Sequence, residues 1–287
     1  MNRAARAAMA QQTLKILEEG GYTLPDGVNV RIAHDLKNCV EATRLLWPEE
    51  VRTCLAQVLT QQGTSATTIV EIENESTLSG IARLLREGYA PVAALNFASA
   101  NNPGGGFLEG SQAQEESLAR NSGLYASLMK TQEFYERHRR EASPLYSDAM
   151  ILSPACPIFR DDAGVLLSSV CHATFISSAA PNAGALSNKA PDKLSLVPDT
   201  LRARAEYVLA LAASQGLRYI VLGAWGCGVF RNDPRLVART FMELLSRADW
   251  KGRFSRVVFS ILDSSPKSEL VEIFRTAAAE FGAAGAS

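Results

Sequence analysis

The chain has 287 residues, 47% hydrophobic and 21% charged, which suits a globular protein with a sizeable buried core. It carries 29 basic against 30 acidic residues, a net charge of −1. With no overall positive field to draw in a polyanion, general nucleic-acid binding by phosphate neutralisation is not expected.

Residues 4–19 read as a helix ended by Gly20-Gly21. Gly27 to Ala33 alternates like a short strand, and residues 35–46 read as a helix that stops before Trp47-Pro48. Thr67–Ile72 is a β-branched run, Leu78–Arg86 a helix and Val92–Phe97 an apolar, buried strand. Ser111 reads as a helix N-cap with Gln114 at the capping-box position. That helix is expected to reach about Lys130, with a second over Gln132–Arg140. Ala149–Leu152, Val165–Val170 and Ala173–Ser178 are strand-like. Asp199–Ser214 is a helix stopped by Gly216, and Tyr219–Leu222 a strand. Asp233-Pro234, a cap and a first-turn proline, opens a helix to about Ser246. Arg256–Leu262 reads as the last strand, Lys267–Phe281 as the last helix, and Ala283–Ser287 as a frayed end.

Strands alternating with helices imply an α/β fold: a largely parallel sheet with helices on both faces. Ligand sites in such sheets lie beyond the carboxyl ends of the strands. Two glycine clusters fall there: Gly104-Gly105-Gly106 after one strand, and Gly223-Ala224-Trp225-Gly226-Cys227-Gly228 after another. A lone glycine cluster more often makes a tight turn, but two at equivalent strand ends favour an anion cradle of backbone N–H groups. Neither has the Lys-Ser/Thr of a P-loop or the pattern of a dinucleotide fold.

Gln114-Glu115-Glu116 follows the first cluster after seven residues. Adjacent helical residues diverge by about 100°, so the two carboxylates cannot point the same way. First-turn acids can merely complement the helix dipole. Beside a glycine cradle, one can orient substrate hydroxyls while the other serves as acid and base. A helix N-terminus favours the charged carboxylate, so the acid is expected to become competent when a bound diphosphate pushes its proton on.

Other candidates carry less. Cys227 has no histidine near it in sequence to activate its thiol. Ser177, Ser178 and Ser187 lie near Asn182 without a nucleophile elbow. His34, His138 and His172 show no metal-ligand spacing, so neither a metal nor another cofactor is expected. Leu14, Ile16 and Leu17 read as packing surface, Asp161-Asp162 as a solvated turn, and His138-Arg139-Arg140 as a helix end. Five scattered cysteines without CxxC pairing, and no visible signal peptide, suggest the cytoplasm. No apolar run approaches the roughly 20 residues that span a bilayer.

The spaced GGG and QEE segments resemble the signature of the bacterial-type poly(ADP-ribose) glycohydrolases, a branch of the macrodomain fold. Asn96-Phe97-Ala98-Ser99-Ala100, Glu116-Ser117-Leu118-Ala119-Arg120, Ser153-Pro154 with Phe159-Arg160, Pro181-Asn182-Ala183-Gly184 and Gly226-Cys227-Gly228-Val229-Phe230 are also similar to that family. The resemblance implies a three-layer, macrodomain-like mixed sheet, with residues 1–60 as an N-terminal helical accessory region and 61–287 as the catalytic domain. It implies hydrolysis of α(1″→2′) ribose–ribose bonds in poly(ADP-ribose), with Glu116 as general acid and base. Glu115 would hold ribose hydroxyls and Gln114 would buttress the loop. Gly104, Gly105, Gly106, Gly226, Gly228 and Val229 would take the diphosphate, with Cys227 in the same loop and Phe230 on the distal ribose. Asn96 and Ser99 would lie near the ribose, and adenine near Leu262. Ser99 stands where many macrodomains carry a second asparagine. The expected partners are poly(ADP-ribose) or ADP-ribosylated proteins and the product ADP-ribose, handled by a monomer. A reader that only binds ADP-ribose, and a hydrolase of a related mono-ADP-ribosyl derivative, are the alternatives.

Overall fold

The structure is a computed structural model describing residues 1–61, 63 and 66–282; the expected frayed end Ala283–Ser287 lies outside the described residues. In chain order, the first half contains α1 (Arg3–Glu19), β1 (Gly21–Thr23), β2 (Asn29–Arg31), α2 (Ala33–Ala42), β3 (Arg44–Leu46), α3 (Pro48–Thr60), β4 (Ile69–Glu73), α4 (Thr77–Arg86), β5 (Val92–Phe97), α5 (Gln114–Asn121), α6 (Leu124–Met129) and α7 (Gln132–Glu141). The second half contains β6 (Met150–Arg160), β7 (Leu166–Ser178), α8 (Ala183–Lys189), α9 (Val197–Ser214), β8 (Tyr219–Leu222), α10 (Pro234–Ser246), β9 (Arg256–Ser260) and α11 (Glu269–Glu280).

Seven strands form one sheet in the order β3-β6-β7-β5-β8-β9-β4. The β7–β5, β5–β8, β8–β9 and β9–β4 pairings are parallel, whereas β6 runs antiparallel to both neighbours. This is the expected mixed, largely parallel sheet. β5 shows why both faces need helices: Ala93 and Leu95 enter one core, Val92 and Ala94 the other. The first core is covered by α3, α9, α10 and α11, and the second by α2, α4, α6 and α7. Within residues 1–60, β3 supplies an edge strand, and Val51 and Val58 of α3 enter the first core.

Several boundaries differ from the sequence reading, each for a tertiary reason. The helix expected over 35–46 ends at Ala42, because Arg44–Leu46 pairs with Met150–Leu152 of β6. The helix expected to run to Lys130 breaks at Ser122, whose extended backbone bridges Ile158. Ser111 is not the N-cap. Ala113 occupies that position, and the Gln114 side chain turns back to β5 instead of completing a capping box. The strands around residues 149–178 are longer than expected, forming a β6–β7 hairpin with register shifts between Ser153 and Cys156 and between Ile158 and Arg160.

Arg204 on α9 is buried, donating from Nε to Asp148 (3.0 Å) and from Nη1 to the carbonyls of Ala179 (2.7 Å) and Leu145 (3.0 Å). It thereby fixes the segment that carries Tyr146, whose ring lies 5.8 Å from Phe230. Arg204→Met is expected to lower the free energy of unfolding by roughly 3 kcal/mol, since it strands Asp148 and buried carbonyls. Urea titration checks this; unfolding at the parental midpoint would refute it.

Candidate active site

The carboxyl ends of β4, β5, β8 and β9 open into one cavity of about 970 Å³. Gly105 and Gly106 line one wall, and Gly226 to Phe230 line the other. Thus the two glycine segments, 120 residues apart in sequence by their Gly106 and Gly226 ends, face a common space. The second segment is fastened from behind. Trp225, fully buried, donates from Nε1 to the Ser178 carbonyl (3.1 Å), and Asn232 donates from Nδ2 to that of Pro181 (2.9 Å).

Gly105 is where glycine is required. Its φ is +60°, and an added Cβ would stand 2.5 Å from Glu116 Oε1 and 3.3 Å from Glu115 Oε2. The backbone therefore lies directly against both carboxylates. Gly104 does not line the cavity; it is buried, and its N–H donates to Glu115.

The two glutamates diverge, as their helical spacing requires. Glu115 turns inward: Oε1 accepts from Asn96 Nδ2 (3.1 Å) and Oε2 from the Ser99 N–H (2.7 Å). Asn96 is itself buried and donates to Ser177 Oγ (2.9 Å), so it stands behind the cavity rather than in it. Glu116 is half-buried and lines the cavity, where its Oε1 accepts from the Gly106 N–H (3.1 Å). Gln114 ties α5 to β5. Its Oε1 accepts from the Phe97 N–H (2.9 Å), and its Nε2 donates to the Leu95 carbonyl (2.7 Å) and Thr77 Oγ1 (3.1 Å).

Burial pushes the Glu115 carboxyl from its ordinary 4.5 up to about 8; the Glu116 charge acts the same way, while the N–H donors of Ser99, Asn96 and Gly104 oppose both. Between those values the folded protein holds a proton that the unfolded chain has released. Stability is therefore expected to fall as pH rises from about 4.5 to about 8, and to level off above. Urea unfolding at pH 5 and pH 8 measures the slope. Glu115→Gln should flatten it, and an equal slope in both proteins would refute the shift.

Ser99, Leu262, Cys227 and Val229 also line the cavity, and the apolar side chains of Val229 and Leu262 are 82% and 71% exposed there. Burial raises the Cys227 thiol to about 12, consistent with packing rather than nucleophilic use. Burial lowers the His138 imidazole to about 4, and this ring serves the α7 backbone and Ser147 instead.

Sequence reasoning missed the β4–α4 segment, whose Asn74, Glu75 and Ser76 line the cavity. The available signal was Ser76, a helix N-cap just beyond a parallel strand's carboxyl end. It also read Asp161-Asp162 as a solvated turn. Asp162 is exposed, but it reaches the rim and accepts from Ser76 Oγ (2.5 Å) and Ser79 Oγ (2.6 Å). That contact needs the β6–β7 hairpin to lie beside α4, which no local pattern encodes. Among the described residues, no group of three His, Cys, Asp or Glu side chains could hold a metal ion. No helix among them is long and apolar enough to cross a membrane.

Residues 10–161 match the family described as microbial-type PARG, catalytic domain. The chain is 46% identical to a poly(ADP-ribose) glycohydrolase from Thermomonospora curvata, with a TM-score of 0.91 over 96% of this chain and 100% of that one. A second structure of the Thermomonospora curvata enzyme, bound to the inhibitor ADP-HPD, matches at 45% identity and a TM-score of 0.88, over 96% of this chain and 99% of that one. The Deinococcus radiodurans glycohydrolase in complex with ADP-ribose matches at 46% identity and a TM-score of 0.81, over 85% of this chain and 97% of that one. No curated protein matches significantly.

Proposed function

The chain belongs to the microbial-type PARG family, and on that premise we propose that it hydrolyses the α(1″→2′) ribose–ribose O-glycosidic bonds of poly(ADP-ribose), releasing ADP-ribose. One observation carries the reading: Glu116 and both glycine segments line a single cavity, so an acid stands beside the backbone of both loops. Oriented N–H dipoles can neutralise a diphosphate without lysine or arginine, which suits a chain of net charge −1.

In this mechanism the diphosphate lies on Gly105 and Gly106, with Gly104 bracing Glu115 behind them, and on Gly226, Gly228 and Val229, with Cys227 lending its backbone position. Phe230 packs on the distal ribose, Asn96 and Ser99 lie toward the ribose, and adenine rests near Leu262. Glu116 gives its proton to the departing 2′ oxygen as the bond to C1″ breaks. The positive charge left on the ribose is stabilised by the neighbouring diphosphate. Water then attacks C1″ and returns its proton to Glu116. A single carboxyl acts in turn as acid and base, unlike the paired carboxylates of most glycosidases. Glu115 holds ribose hydroxyls, and its position between Asn96 and the Ser99 N–H supports an orienting task. Gln114 buttresses the loop through its bonds to β5.

We take residues 61–287 as the catalytic domain and 1–60 as its accessory region, acting as a monomer on polymer or ADP-ribosylated protein. Five cysteines without paired spacing support a reducing cytoplasm. The test is incubation with poly(ADP-ribose) and chromatography of the products. Free ADP-ribose is expected; ADP-ribose binding without release would instead identify a reader.

A further inference from the structure

Four consecutive residues between the glycine triplet and α5 are each gripped by a guanidinium. Arg3 Nε donates to the Glu109 carbonyl (2.9 Å) and Arg6 Nε to that of Gly110 (2.8 Å). Arg120 donates from Nη1 to the Ser111 carbonyl (2.7 Å) and from Nη2 to Gln112 Oε1. The far end of α5 is held as well: the Arg120 carbonyl accepts from Thr13 Oγ1 (2.6 Å) and from Arg160 Nη1 (2.6 Å). Arg3, Arg6 and Thr13 all lie on α1. The helix also touches the loop directly, since a Cβ at Gly110 would stand 2.1 Å from the Arg3 carbonyl. Ala10, Phe107 and Ala119 pack together beneath this contact.

We infer that α1 is a clamp on the loop bearing Gly104 to Gly106 and on α5, with Arg3 and Arg6 as positioning residues for Glu116. The inference rests on the role given to Glu116 above. A glycine triplet has more backbone freedom than any other sequence, so its geometry needs restraint from outside. A catalytic group displaced by about 1 Å can lose roughly a hundredfold in rate. The grip of Arg3 and Arg6 on Glu109 and Gly110 supplies that restraint from α1, a helix with no residue in the cavity.

The test uses the full chain carrying Arg3→Ala and Arg6→Ala together. Arg3 is exposed and Arg6 only half-buried, so the variant should melt as a folded protein. Its kcat on poly(ADP-ribose) is expected to fall roughly tenfold or more with KM little changed. Amide exchange over residues 104–112 should quicken in parallel. Arg6→Lys on the Arg3→Ala background should restore part of the rate. Lys15→Ala, on the exposed side of α1 where Lys15 pairs with Glu19, should leave rate and exchange unchanged. Parental kcat, a loss carried by KM, or parental exchange in the double variant would overturn the clamp. Should the parent itself release no ADP-ribose, the proposed function fails, and the exchange comparison still decides whether α1 holds the loop.

Discussion

Glu116→Gln is expected to lower release of ADP-ribose from the polymer by roughly a thousandfold or more, because the side chain loses its transferable proton. The substitution preserves shape, and the new amide oxygen can still accept from the Gly106 N–H, as Oε1 does at 3.1 Å. The loop should therefore keep its geometry, and calorimetry should find ADP-ribose bound nearly as tightly as by the parent. Turnover that collapses while binding persists separates proton transfer from substrate holding. Comparable initial rates for variant and parent would remove Glu116 from the mechanism, whatever the fate of binding.

The second large effect is expected from a methyl group. Gly105→Ala places a Cβ 2.5 Å from Glu116 Oε1 and 3.0 Å from its Cδ, so the carboxyl has to swing away. The residue also sits at φ +60°, which costs a side-chain-bearing residue about 1 kcal/mol. Stability should drop by about that amount, while activity drops by roughly a hundredfold, the scale of a misplaced catalytic group. Thermal melting and initial rates on the same preparation measure both. An alanine variant with near-parental turnover would mean that Glu116 tolerates displacement, contrary to a role requiring fixed geometry.

Local pattern carried much of the architecture because it records which residues must leave water. The strands Val92–Phe97 and Tyr219–Leu222 and the helix opened by Asp233-Pro234 were legible to the residue. They are buried from both sides or capped by their own sequence. Leu46 and Ser122 were not legible. Each takes its conformation from a partner strand more than 30 residues away, Met150 for one and Ile158 for the other. The same division runs through the site. Two glycine clusters at strand ends, and a Glu pair seven residues after one of them, could be read directly from the chain.

Residue type and helical spacing thus suffice for two glycine segments at strand ends and for a pair of diverging carboxylates. What that spacing leaves open, the packed chain settles: which carboxylate is buried and which faces the cavity. It buried Glu115 between Asn96 and the Ser99 N–H, left Glu116 on the cavity, and brought Asp162 and the β4–α4 segment to the rim. Exposure, desolvation and partner distance are properties of the packed chain, set by segments remote in sequence, and no local period encodes them.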